Sequence, residues 1–267
     1  MAYHGRREPR AECAEIDERS SIIGGRNAVL EMLKSGRPID KIWLKSGGEG
    51  SLKLIAAMAK ERGIPLLYVD RPALDAILPG GNHQGVAAQA AAKTYASVDD
   101  ILQLAQERHE KPLIVLADGV EDPRNLGALI RCAEGAGAHG VIIPKRHASG
   151  LSAVVSKASA GALEYLAVAR VPNLTQAVEY LKKKGVWVFA AEADGRPYFE
   201  EDFDVPCALV FGGENRGVSR LLREACDAAV SIPMRGHVNS LNVSAAAAVL
   251  INEAKLCQLG LRRGNRG

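Results

Sequence analysis

Over residues 22–90 the apolar positions switch repeatedly between helical spacing and strand alternation. Residues 28–34 repeat at helical spacing and stop at Ser35-Gly36, ahead of Pro38. Residues 41–45 (KIWLK) alternate as a strand does, and 52–62 return to helical spacing and end at Gly63, a C-cap residue type. A short strand at 66–69, a short helix at 72–78 and a strand at 86–90 complete a small α/β unit. From Pro112 onward the pattern changes. Short apolar runs without alternation fall at 113–117, 141–143, 186–190, 208–211 and 230–232, as expected for strands buried on both faces. Helical spacing at 126–134, 152–163, 174–183, 219–225 and 244–259 lies between and after them. Alternating strands and helices predict a parallel sheet between helix layers. Such sheets bind ligands in the loops at the carboxyl ends of their strands. The loops after Ala117, Phe211 and Ile232 are therefore the ones to inspect.

The pattern divides the chain into a charged flexible tail (1–20), the small α/β unit (21–92), a connecting segment (93–110, helical around 98–108), the parallel-sheet unit (111–260) and a short tail (261–267). In the 267-residue chain, 47% hydrophobic and 24% charged residues suit a globular protein and exclude disorder throughout. No apolar run is long enough for a membrane helix, and the N-terminus has no apolar core of a secretory signal, so a cytoplasmic location is expected. The five cysteines are scattered without a CxxC pair and the six histidines form no HExxH. Reduced thiols and no metal site follow. The net charge of +3 is spread along the chain and aromatics are only 4%, so bulk numbers leave nucleic-acid binding open. The few aromatics argue against a base-stacking platform, and any RNA would have to meet a local patch.

Gly135-Ala-Gly-Ala-His-Gly140 matches G-x-G-x-x-G, but it closes a helix and precedes a strand, the reverse of a dinucleotide site. It reads as a helix C-cap and tight turn. Three other loops carry the chemistry. Asp118-Gly-Val-Glu-Asp-Pro-Arg-Asn-Leu-Gly-Ala-Leu-Ile-Arg131 leaves a buried strand and enters a helix whose start Pro123 and Asn125 are expected to fix. Asn125 then sits at the helix mouth, with Arg131 almost two turns in and on a different side. Val210-Phe-Gly-Gly-Glu-Asn-Arg-Gly217 runs a strand into two glycines, where backbone can pass close to a ligand, and Glu214 follows at once. Ile232-Pro-Met-Arg-Gly-His-Val-Asn-Ser-Leu-Asn-Val-Ser244 crowds Asn239, Ser240, Asn242 and Ser244 at one helix entrance, more caps than one helix uses. Four alanines at 245–248 then allow that helix to pack very closely on another backbone, within the monomer or across a dimer.

Together the three motifs, in this order over about residues 112–259, resemble the SpoU (TrmH-like) ribose 2′-O-methyltransferases of the SPOUT class. Gly25-Arg-Asn-Ala-Val-Leu and His83-Gln-Gly-Val-Ala resemble the small L30e-like substrate-binding domain found in one branch of that family. The resemblance implies an α/β fold: an L30e-like N-terminal domain followed by a SPOUT parallel-sheet catalytic domain with a C-terminal trefoil knot. Such a knot is a rare exception to ordinary chain topology, which no composition suggests.

The resemblance further implies S-adenosylmethionine as cofactor, held by Gly212, Gly213, Ile232, Met234 and Leu241. Glycines and apolar residues suit a backbone-lined pocket for adenine and a methionine stem. It makes Arg131 the catalytic arginine, with Asn125, Glu214, Ser240 and Asn242 around it, and needs no metal. The family proposal treats this arginine as a general base. The strongly basic character of a guanidinium argues instead that it holds the target's phosphate and stabilises the developing alkoxide. A homodimer is implied as well, with the active site near the subunit interface. The branch points to a guanosine ribose in large-subunit (23S) ribosomal RNA. Transfer RNA, or a different ribosomal nucleotide as in resistance enzymes, is the alternative.

Overall fold

The computed structural model describes residues 22–91, 93–214, 216–237 and 240–262. The expected tail at 1–20, Asn239 and most of the expected tail at 261–267 lie outside the described residues. The N-terminal unit contains β1 (Ile22–Gly24), α1 (Arg26–Lys34), β2 (Ile39–Lys45), α2 (Ser51–Glu61), β3 (Leu66–Val69), α3 (Arg71–Ile77) and β4 (Val86–Ala90). Its sheet order is β1-β4-β2-β3, with only β2 and β3 parallel. Val29, Ile42, Ile55 and Val86, all fully buried, form the centre of its core.

The second unit contains α4 (Val98–Glu107), β5 (Leu113–Asp118), α5 (Pro123–Gly135), β6 (Gly140–Pro144), α6 (Ala153–Ala158), α7 (Ala162–Tyr165) and β7 (Ala167–Val171). It continues with α8 (Leu174–Lys183), β8 (Trp187–Pro197), β9 (Cys207–Gly212), α9 (Arg220–Ala225), β10 (Ala228–Ser231) and α10 (Val243–Gln258). All neighbours in the order β10-β8-β9-β5-β6-β7 are parallel. Each face carries its own core. Leu126, Ile130 and Ile251 pack with Leu113, Val115 and Leu209 on one side, while Ile101, Val178 and Leu222 pack with Ile114, Leu116 and Val210 on the other. Alternate residues of β5 and β9 serve opposite cores, which is why those strands are uninterrupted apolar runs. Truncating a central leucine such as Leu116 to alanine costs about 2–5 kcal/mol.

Four features differ from the pattern-based expectation. The helix expected at 152–163 is two short helices, because Ala160 (φ 49°) and Gly161 (φ 92°) turn the backbone out of helical geometry. The chain then enters β7, an edge strand whose Arg170 disguised it. Residues 93–110, expected to connect the two units, are docked on the sheet. Ala96 bridges Ala169, and Ile101 is buried so tightly that a Cβ on Gly140 would stand 2.5 Å from its side chain. Finally, β8 runs well past Ala190. Its pairing with β10 steps from Ala190↔Ala229 to Arg196↔Val230, so residues 191–195 bulge outward opposite a single peptide step. A bulge re-aims a strand end, here around a cavity at the carboxyl edge of the sheet.

Candidate active site

The loop from β5 into α5 is closed by Asp122, whose carboxylate accepts the Arg124 N–H at 2.7 Å, with Pro123 in the first turn. The expectation that Asn125 helps fix this helix start is corrected by that contact. Asp122 takes the capping role and leaves the Asn125 amide to face the other loops.

The β9 loop turns back on itself through contacts only glycine permits. Gly213 donates its N–H to the Asp118 carbonyl at 2.7 Å, and Gly217 (φ 62°) donates to the Gly213 carbonyl at 3.0 Å. A Cβ on Gly212 would lie 1.9 Å from the Gly217 carbonyl carbon, and one on Gly213 would lie 2.3 Å from the Gly119 oxygen. Backbone blocks both positions, so no side-chain shift relieves either clash. Asp118 and Glu192 brace the same loop by accepting the Ser219 N–H at 2.8 Å and the Val218 N–H at 2.7 Å.

Into this frame the third loop brings Asn242. Its oxygen caps α10, accepting the Ser244 N–H at 2.9 Å and hydroxyl at 2.6 Å. Its nitrogen donates to Glu214 Oε1 at 2.5 Å and to Asn125 Oδ1 at 3.1 Å. Asn125 in turn donates to the same Glu214 oxygen at 3.0 Å. One carboxylate oxygen thus accepts two amide donors, and among the described residues Glu214 Oε2 has no partner. Of the capping side chains crowded in the third loop, Asn242 is the one that caps α10 while its nitrogen serves this cluster.

A cavity of about 460 Å³ opens beside the cluster, within the range of small-molecule sites. All five expected cofactor residues, Gly212, Gly213, Ile232, Met234 and Leu241, line it. Glu214, Ser240 and Asn242 line it too. Asn125 joins through its bond to Glu214. Arg131 does not belong to the lining: it is exposed on α5, next to Cys132, whose thiol reaches the Ser244 carbonyl at 3.6 Å. The bulge residues Ala191, Glu192 and Ala193 line the cavity as well. Pattern reading missed them because it ended the strand at Ala190. The turn-forming pair Asp194-Gly195 was the available signal.

The chemistry of the lining suits a cationic, partly apolar ligand. Phe211, Ile232 and Leu250 supply apolar surface, and the glycines expose backbone. Among the described lining residues, the formal charges, Glu192 and Glu214, are negative.

Comparison with known proteins agrees. The SpoU rRNA Methylase family matches residues 112–252, and the family described as RNA 2′-O ribose methyltransferase substrate binding matches 22–96. YacO of Bacillus subtilis, named as a TrmH family tRNA/rRNA methyltransferase, is 43% identical over 240 residues, spanning 89% of this chain and 96% of its own. A Staphylococcus haemolyticus relative with the same family name is 42% identical, spanning 87% and 94%. The AdoMet-bound rRNA methyltransferase of Sinorhizobium meliloti superposes with a TM-score of 0.56 at 25% identity, covering 93% of this chain and 97% of that one. The SpoU methyltransferase AviRb of Streptomyces viridochromogenes shares the fold, with a TM-score of 0.58 at 23% identity over 93% and 95% of the two chains. On these matches, the chain belongs to the SpoU (TrmH) family of RNA 2′-O-ribose methyltransferases and carries that family's substrate-binding unit ahead of its parallel-sheet unit.

Proposed function

We propose that this protein methylates the 2′-hydroxyl of a guanosine in large-subunit (23S) ribosomal RNA, with S-adenosylmethionine bound in the cavity at the carboxyl edge of the six-stranded sheet. The observation that carries the reading is the convergence of Asn125, Glu214 and Asn242 beside a glycine-lined, acidic and apolar cavity. Gly212, Gly213, Ile232, Met234 and Leu241 would hold the cofactor, which supplies an electrophilic methyl group when bound. In this reading Glu214 Oε2, which has no partner among the described residues, accepts the hydrogen bond and then the proton of the ribose hydroxyl. The amides of Asn125 and Asn242 fix the carboxylate through Oε1, so its orientation is set before substrate arrives. Ser240 adds a hydroxyl on the same wall.

A guanidinium such as that of Arg131 suits holding an RNA phosphate and stabilising the developing alkoxide better than removing a proton. It lies beside the start of α10. The outer face of that helix presents Val249, Leu256 and Leu259, 37%, 42% and 56% exposed. An apolar stripe of this kind on a soluble protein marks an interaction face, and we assign it to a homodimer. In the same reading β9, β10 and α10 form the trefoil-knotted segment. No described helix is long and apolar enough to cross a membrane, and the enzyme meets its RNA in the cytoplasm.

The N-terminal unit favours ribosomal over transfer RNA, since the matched domain is a substrate-binding module and relatives without it act on transfer RNA. The test is methyl transfer from labelled S-adenosylmethionine to unmodified large-subunit ribosomal RNA and to bulk transfer RNA, with the product nucleoside identified by mass spectrometry. 2′-O-methylguanosine in ribosomal RNA alone is expected. Label in transfer RNA alone keeps the chemistry and overturns the target. Absence of cofactor binding overturns the methyltransferase reading for this chain.

A further inference from the structure

The two units meet at a buried polar junction that a passive tether would not need. Asp40 on β2 is 1% exposed, and its carboxylate accepts the Tyr95 hydroxyl and, at 3.3 Å, Arg170 Nη1 from β7. The same guanidinium nitrogen donates to the Asp40 backbone carbonyl at 2.7 Å. Tyr95 accepts the Leu151 N–H at 3.0 Å, and the Arg170 guanidinium lies 5.2 Å from its ring centroid. Gly150 is pressed so closely on Asp40 that a Cβ there would stand 2.4 Å from the carboxyl carbon. Lys145, just past β6, donates to the Gly63 carbonyl at 2.8 Å and so ties the sheet unit to the end of α2.

Energetically this is a costly way to join two domains. Buried ion pairs lose most of their attraction to desolvation, and apolar residues of similar volume usually hold as well. Here Asp40 Oδ2 and Arg170 Nε are buried without a hydrogen-bond partner, a further penalty. Burial accordingly pushes the Asp40 carboxyl above its ordinary range, against the pull of Tyr95 and Arg170. What directional contacts supply, and greasy contacts do not, is a single relative orientation.

The junction also touches the site's scaffold. Ser149, one residue before Gly150, donates its N–H to the Val120 carbonyl at 3.0 Å, in the loop that leads from β5 into α5. That helix carries Asn125 and Arg131. We propose that Asp40, Tyr95 and Arg170 are positioning residues: they lock the substrate-binding unit at one angle to the sheet unit, so that bound RNA presents its target ribose to the Glu214 cluster. The proposal rests on the functional reading above, in that the N-terminal unit holds the RNA.

The test uses the full chain with Arg170→Met and, separately, Tyr95→Phe, which deletes only a hydroxyl and answers the question should Arg170→Met fail to fold. Expected are a larger radius of gyration by small-angle X-ray scattering and a fall in kcat of about tenfold or more. Dissociation constants for S-adenosylmethionine and for RNA should stay within about threefold, because both binding surfaces are intact. Simple destabilisation would instead lower cofactor binding capacity and kcat together. Scattering profiles and kcat unchanged in both variants overturn the proposal. If the wild-type chain methylates no RNA, the functional reading fails, and the scattering comparison alone still decides whether the junction fixes the angle.

Discussion

Asn242 and Asn125 donate to one and the same oxygen of Glu214, at 2.5 and 3.0 Å, and among the described residues the other oxygen has no partner. Because Asn242 also caps α10 through its own oxygen, the two jobs can be separated by substitution. Aspartate caps a helix as well as asparagine does, but it cannot donate and would set a like charge beside Glu214. Asn242→Asp is therefore expected to melt within a few degrees of wild type while losing methyl transfer by about a hundredfold or more. A thermal melt alongside kcat checks it, and near-normal kcat would remove Asn242 from the machinery.

Gly213→Ala tests the close backbone approach at the cavity floor. The added methyl would meet the Gly119 carbonyl 2.3 Å away, with no flexible side chain to give way. Overpacking of this kind costs about 1–3 kcal/mol. Displacement of the loop should weaken S-adenosylmethionine binding by about tenfold or more in titration calorimetry. Unchanged affinity would mean that the loop is not a cofactor wall.

Arg131→Lys separates a guanidinium-specific role from simple positive charge. Lysine keeps the charge and loses the planar fork that binds phosphate in bidentate fashion. Activity at pH 7–8 should fall by about 10³ while cofactor affinity stays intact. A drop of less than about tenfold would exclude both the phosphate-clamp and the base role for this arginine.

A pH effect on stability is expected from His139, which is fully buried. Its Nδ1 accepts the Leu113 N–H at 3.0 Å, which puts the proton on Nε2, 3.5 Å from Glu110. Burial holds its pKa below 6.5, with Glu110 pulling the other way. The unfolded chain therefore takes up a proton that the folded chain refuses. The contribution is complete above about pH 6.5 and is lost as pH falls below it. Asparagine at 139 can keep the acceptor without titrating. His139→Asn should flatten the decline of the melting temperature between about pH 6.5 and 5, and parallel curves for the two proteins would contradict the assignment.

The parallel sheet and the three loops were legible because their signals are local. Apolar runs mark β5 and β9, paired glycines mark the β9 turn, and clustered Asn and Ser mark the start of α10. What could not be read depends on contacts between distant segments. Nothing near Asp40 announces Arg170, 130 positions away, and the AVARV run of β7 hid a strand behind that charged residue. The bulge in β8 exists only in relation to β10, and Glu192 becomes a cavity residue only through it. The choice of Asp122 over Asn125 as the cap of α5, by contrast, rests on a contact two residues away and leaves the Asn125 amide free for Glu214.

The separations within the Glu214 cluster carry a consequence for how the protein matures. Asn125 lies 89 positions from Glu214 and 117 from Asn242, so the cluster closes only when α5 meets the two later loops. Contacts of such range form late in folding, after the loop-closure entropy has been met. A chain that has formed β5 through β9 but not yet seated β10 and α10 has neither the Asn242 donor nor the Leu241 wall. On the proposed cofactor site, partly folded molecules would lack a complete pocket, and ligand binding would then report finished folding.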